Sequence, residues 1–244
     1  LMRNLKIGIE YDGYDFSGWQ IQKNCRTVQG ELTKALSVLF GGAISPPIAS
    51  GRTDAGTHAF NQIAHLNTDT TLPTDRIKRG LNGILPRDIS ILSVNEVPQD
   101  FHARYDAKKK RYRYRLSHGK IAMHRNHVWS IPHSVNIDPM NEATAMVIGE
   151  RSFGAFCKKD PIPNNFVCNI FAASWEKRAN EWVFEIEGNR FLRHMVRILV
   201  GTLVEIGSGK RSPKTISSLL ISGKREEAGR TAPAHGLHLL WVKY

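Results

Sequence analysis

Cysteine is scarce and unpatterned in this sequence: the 244 residues contain three, Cys25, Cys157 and Cys168, with no C-x-x-C spacing. An odd, scattered set excludes a disulfide framework and a zinc knuckle, and it fits a reducing compartment, here the cytoplasm. Ten histidines are present, yet none falls in H-E-x-x-H, or in H-x-E followed by P-C-x-x-C. That argues against a zinc protease and a zinc nucleobase deaminase, and no metal is expected. Long apolar runs are also missing. The longest, near Ile198 to Val204, falls far short of the ~20 residues that a membrane-crossing helix needs, so no membrane insertion is expected. Lys6, Glu10 and Asp12 come too early for a secretory leader. Acidic residues are outnumbered, 22 against 34 basic, for a net charge of +12. Such a balance suits a polyanion such as nucleic acid, although charge alone fits an anionic membrane surface equally well.

What is present reads as α+β. Leu5, Ile7, Ile9 and Tyr11 alternate with polar residues or glycine, the period of a half-buried strand. Thr27 is a fitting N-cap for a helix carrying Val28, Leu32, Leu36 and Leu39 and closed by Gly41-Gly42. Further strands are predicted at Ile48, Gln62–Asn67 and Ile89–Val97, and a second helix from Thr74 to Leu85 before Pro86. Strand, helix, strand, strand, helix, strand is the order of a ferredoxin-like unit. A basic strand at Lys108–Leu116, a helix opening at Asp138-Pro139, strands at 170–177 and 182–187, an apolar helix from Phe191 to Ile206, a shorter helix after Pro213 and a last strand at Leu237–Tyr244 form a second set. Two ferredoxin- or RRM-like halves are therefore expected, residues 1–104 and 105–244, with a ligand cleft between them.

Three segments could carry chemistry. In Ser50-Gly51-Arg52-Thr53-Asp54-Ala55-Gly56-Thr57-His58, glycines bracket a carboxylate and let the loop approach a ligand closely. An aspartate in such a setting also commonly caps its own turn. In Lys109-Lys110-Arg111-Tyr112-Arg113-Tyr114-Arg115 the tyrosines face one way and the arginines the other. Rings that stack on bases and guanidinium groups that hold phosphates, here Arg111 and Arg113, suit an unpaired nucleotide, while a solvated edge strand kept soluble by charge fits as well. Arg193 and Arg197 stand four residues apart in the apolar helix. On one face they would bind a carboxylate or phosphate, or else snorkel to solvent. Burial raises a carboxylate pKa by up to about 3–5 and one adjacent arginine lowers it by about 1–3. An Asp54 that is to stay ionised therefore wants more than one cation, and Arg52 and Arg197 are the candidates. His58 is a weaker candidate for a general base or ligand. The residues alone also leave open a non-catalytic RNA-binding protein and an acid–base hydrolase using Asp54 and His58.

Gly51-Arg52-Thr53-Asp54-Ala55-Gly56-x-His58, Lys110-Arg111-Tyr112-Arg113-Tyr114 and Phe191-Leu192-Arg193-His194-Met195-Val196-Arg197 together resemble the TruA-type tRNA pseudouridine synthases. Trp19-Gln20, Asp100-Phe101-His102-Ala103-Arg104 and Thr231-Ala232-Pro233-Ala234-x-Gly236-Leu237 extend the likeness over nearly the whole chain. The resemblance implies a pseudouridine synthase fold, two halves with antiparallel and mixed sheets around a central positive cleft. It implies uridine isomerisation in the tRNA anticodon stem-loop, at nucleotides 38, 39 and 40, by a homodimer without metal or organic cofactor. It makes Asp54 the nucleophile, Arg52 the residue that helps flip the base, Tyr112 the ring that stacks on the uracil, and Arg197 the second ion-pair partner of the aspartate. Thr57, Arg190 and His235 depart from the usual pattern and touch none of these four.

Overall fold

The structure, a computed structural model, describes residues 2–158, 160, 163 and 165–244. It divides into two compact units, the first running to Lys108 and including Leu239–Tyr244, the second spanning Lys109–His238. The first unit contains β1 (Arg3–Tyr11), α1 (Val28–Phe40), β2 (Ile48–Ala49), β3 (His58–Thr68), α2 (Thr74–Ile84) and β4 (Ile89–Val97). Its strands run β4-β1-β3 with β2 also on β3, all pairs antiparallel, which is the ferredoxin-like arrangement. The alternation in β1 buries Leu5, Ile7, Ile9 and Tyr11 as expected. At α1, Thr27 Oγ1 accepts the Gly30 N–H, and Gly41 ends the helix at φ 74°, a left-handed angle that glycine adopts without steric cost.

The second unit contains β5 (Lys109–His118), β6 (Trp129–Ile131), α3 (Ile137–Ala145), β7 (Gly149–Ser152), β8 (Val167–Arg178), β9 (Glu181–Gly188), α4 (Met195–Gly207), α5 (Thr215–Ser222) and the start of β10 (Leu237–Lys243). Antiparallel pairing orders its sheet β5-β9-β8-β7, and β6 runs parallel to β5. Tyr114, Leu116, Trp175, Phe184 and Ile186 from the strands pack with Met140, Leu199 and Leu203 from the helices in one core. Burial of one sheet face under apolar helix surface is the main stabilising term, about 25 cal/mol per Å² of apolar area removed from water.

Several boundaries differ from those expected. The unit border falls after Lys108 rather than Arg104, and the final strand returns to the first unit beside β3. The α3 cap is Asn136, whose Oδ1 accepts the Asp138 N–H at 3.0 Å, so Pro139 sits inside the first turn, where a missing N–H costs nothing. The largest change concerns α4. His194 adopts φ 62°, a left-handed angle that interrupts a helix, so α4 begins at Met195 and Phe191–Arg193 lie outside it. Arg193 and Arg197 therefore share no helix face, contrary to the spacing argument.

Candidate active site

The loop from Ser50 to Thr57 is built by close backbone approach. A Cβ on Gly13 would meet the Thr57 carbonyl oxygen at 1.9 Å, and one on Gly18, at φ +91°, would meet that of Thr53 at 2.7 Å. The Trp19 N–H donates to the Thr53 carbonyl, the Gly56 N–H to that of Phe16, and the Thr57 N–H to that of Asp54, each at 3.1 Å. Gln62, wholly buried, donates to the Gly51 carbonyl at 3.0 Å and bonds Ser50 Oγ at 2.7 Å. The Tyr11 hydroxyl lies 2.7 Å from Thr53 Oγ1, and burial pushes its pKa up to about 12, so it stays a neutral hydrogen-bonding group. Thr53 and Thr57 are buried, Asp54 is half-buried and Arg52 is exposed. The backbone on both sides of Asp54 is thus pinned at Thr53, Gly56 and Thr57, and the aspartate itself is half-buried.

His58 is 3 % exposed. Its Nδ1 faces both the Gly13 N–H at 3.1 Å and Asp12 Oδ1 at 2.9 Å, so either tautomer finds a partner in the loop that follows β1. These contacts tie the ring to the loop after β1 through Nδ1. Trp19 is 1 % exposed and serves packing, while Gln20 is exposed.

In the second unit, β5 keeps the expected two faces. Tyr114 is buried, its hydroxyl donates to the Pro233 carbonyl at 2.8 Å, and burial raises its pKa. A Cβ on Gly236 would meet that ring at 2.5 Å, which accounts for a glycine there. Tyr112 is half-buried and meets Phe191 edge to face, centroids 5.1 Å apart. The arginine face pairs with glutamates of β9. Arg113 places Nε and Nη2 at 2.9 and 2.7 Å from Glu185 Oε1, and Arg111 reaches Glu187 Oε2 at 2.8 Å. Antiparallel register sets each arginine opposite its glutamate, Arg111 across from Glu187 and Arg113 across from Glu185. Both guanidinium groups are engaged within the sheet, whereas Arg193, also assigned to phosphate, directs its guanidinium to the Asp160 carbonyl.

Arg197 has a more defined setting. Every residue of α4 except Arg197 and Glu205 is buried, and these two hold the segment 229–232 against the helix. Arg197 Nε donates to the Ala232 carbonyl at 2.8 Å, and the Ala232 N–H donates back to the Arg197 carbonyl at 3.0 Å. Glu205 Oε1 accepts the Arg230 N–H at 3.2 Å, and Thr202 Oγ1 accepts the Gly229 N–H at 3.0 Å. One nitrogen of the guanidinium is thereby fixed to the backbone of segment 229–232. Sequence reasoning missed this anchor, Tyr11 and the three glutamates of β9. Glu181, Glu185 and Glu187 do alternate like the arginines, but nothing in the chain says that the two strands pair.

Asp54 and Arg52 belong to the first unit, and Arg111, Tyr112, Arg113, Arg193 and Arg197 to the second. A family profile described as tRNA pseudouridine synthase matches residues 8–106 and 143–244, and so covers both groups except the strand bearing Arg111, Tyr112 and Arg113. A protein of Anoxybacillus flavithermus called tRNA pseudouridine synthase A is 43 % identical over 244 residues, all of this chain and 99 % of that one. Its namesake in Halalkalibacterium halodurans is 43 % identical over 238 residues, 97 % of this chain and 90 % of that one. In Acetivibrio thermocellus a protein of the same name is 42 % identical over 245 residues, the whole of both chains. This chain belongs to the tRNA pseudouridine synthase family, whose reaction is the isomerisation of uridine to pseudouridine in tRNA.

Proposed function

We propose that the protein isomerises uridines 38, 39 and 40 of the tRNA anticodon stem-loop, with Asp54 as nucleophile on a flipped-out uridine. The observation that carries this reading is the Asp54 loop, in which Thr53 and Thr57 are buried and bonded and Asp54 is half-buried. The family supplies the reaction, and the motif residues supply the roles. A base must leave the stack before its glycosidic bond is reachable, at a cost of a few kcal/mol. Exposed Arg52 and the accessible part of the Tyr112 ring offset that cost through phosphate contact and stacking. Asp54 then assists cleavage of the bond between N1 and C1′. The uracil turns while held, carbon 5 bonds to C1′, and the proton lost from carbon 5 is balanced by one gained at N1.

Arg197 is the second cation for Asp54 in this proposal, which is why its anchoring on Ala232 matters. Arg111, Arg113 and Arg193 are given no phosphate here, since their guanidinium groups serve the fold. The protein acts as a cytoplasmic homodimer without metal or organic cofactor, a reading carried by the resemblance of its motifs. Among the described residues no helix is long and apolar enough to cross a membrane. Incubation with unmodified tRNA followed by carbodiimide mapping is expected to give pseudouridine at the three positions, and Asp54→Asn none. No product from the unaltered protein, or full product from Asp54→Asn, overturns the proposal.

A further inference from the structure

The turn from His102 to Asp106 holds an exposed aromatic ring with more support than a surface residue needs. The His102 N–H donates to Asp106 Oδ2 at 2.8 Å, and the Asp106 N–H donates back to the His102 carbonyl at 3.0 Å. His102 Nδ1 accepts the N–H groups of Arg104 and Tyr105 at 3.1 and 3.2 Å. The centre of the turn is fixed from within: the Ala103 N–H donates to buried His65 Nδ1 at 3.1 Å, and the Tyr244 hydroxyl donates to the Ala103 carbonyl at 2.8 Å. Burial, then the neighbouring His102, hold the His65 pKa below its ordinary value, so Nδ1 stays an acceptor.

On this base the rings are layered. His65 and His102 have centroids 4.7 Å apart, and Tyr105 stacks on His102 at 4.3 Å with 30° between planes. Tyr105 is nonetheless 77 % exposed. Single exposed apolar residues are ordinary, but here two imidazoles, a carboxylate and a phenol fix the backbone that presents one ring. A ring backed on one face and open on the other offers a flat surface with little conformational entropy left to lose. Exposed Arg104 and Lys108 flank it. Aromatic stacking beside cations is the recognition mode of unpaired nucleotides, and it tolerates any base because every base has a π-face.

We propose that Tyr105, stacked on His102, is a platform for an unpaired tRNA base other than the target uridine, with Arg104 serving the adjoining phosphate. This rests on the tRNA reading above. It makes Tyr105 a determinant of affinity and register, with no part in bond breaking. The platform lies wholly in the first unit, so it places RNA on the same unit that carries the Asp54 loop.

The test compares the full-length protein with Tyr105→Ala, Tyr105→Phe and Tyr105→Trp, using unmodified tRNA in filter binding at fixed salt and in steady-state pseudouridine assays. Tyr105→Ala is expected to weaken binding roughly 5- to 150-fold, raising KM while kcat at saturating tRNA is retained. The Phe and Trp variants, which keep an aromatic ring, restore affinity, and the extra indole fluorescence of Tyr105→Trp is quenched when tRNA binds. Wild-type affinity in Tyr105→Ala overturns the platform, as does a Tyr105→Phe protein as weak as the alanine variant. A changed sedimentation coefficient of free Tyr105→Ala protein also overturns it, since the ring then belongs to a protein interface. These failures are distinct from failure of the parent reading, in which the unaltered protein makes no pseudouridine at all.

Discussion

Gly201→Ala pits two effects of opposite sign against each other at the middle of α4. On helix propensity alone, alanine in a helix interior is better than glycine by about 1 kcal/mol. The packing says otherwise. A Cβ at this position would stand 1.8 Å from the Arg230 carbonyl oxygen and 3.4 Å from the Ala232 nitrogen. The first distance is roughly 1.6 Å short of an ordinary contact, and the obstacle is backbone rather than the end of a side chain. Segment 229–232 cannot simply swing aside, because Thr202, Glu205 and Arg197 each bond it to α4. Overpacking of a tight core typically costs about 1–3 kcal/mol, and losing one of these bonds adds about 0.5–1.5 kcal/mol. The net expectation is destabilisation by about 0.5–3.5 kcal/mol. Urea unfolding followed by far-ultraviolet circular dichroism measures it. Because the shift displaces the Ala232 carbonyl that fixes Arg197, kcat for pseudouridine formation should fall as well. A variant as stable as the parent or more so, with unchanged kcat, would refute the idea that segment 229–232 is zipped to the helix and aims the arginine.

Two further outcomes follow from the side-chain network. Arg113→Gln should leave the salt dependence of tRNA binding unchanged and alter stability by no more than about 1 kcal/mol, as for a partly solvated ion pair such as Arg113–Glu185; a salt slope reduced by about 0.7–0.9 would show a phosphate contact instead. Acid should destabilise the protein: burial lowers the pKa of His65 and His235 below the ordinary 6.5, so the unfolded chain takes up protons first. The stability they contribute is whole above pH 6.5 and drains as pH falls through the lowered folded values, so the urea midpoint should drop below that pH and drop less steeply in His65→Asn.

The amino-acid order by itself determined the local elements and the chemical motifs. Period-two alternation marked β1 and β5, a threonine cap and paired glycines bounded α1, and Gly51-Arg52-Thr53-Asp54-Ala55-Gly56 declared the candidate nucleophile. These are properties of neighbours a few residues apart, where backbone sterics and side-chain spacing act directly. The left-handed turn at His194 escaped the pattern, because a non-glycine residue at positive φ leaves no compositional trace. Tertiary structure alone decided the rest. It set Arg111 and Arg113 against glutamates 76 and 72 positions away, building a cross-strand ladder of ion pairs. It brought Ala232 to Arg197 across 35 positions and Tyr244 to Ala103 across 141. Strand register and the return of the last strand to the first unit depend on how whole sheets bury their apolar faces, and that balance is struck over the entire chain rather than in any stretch of it.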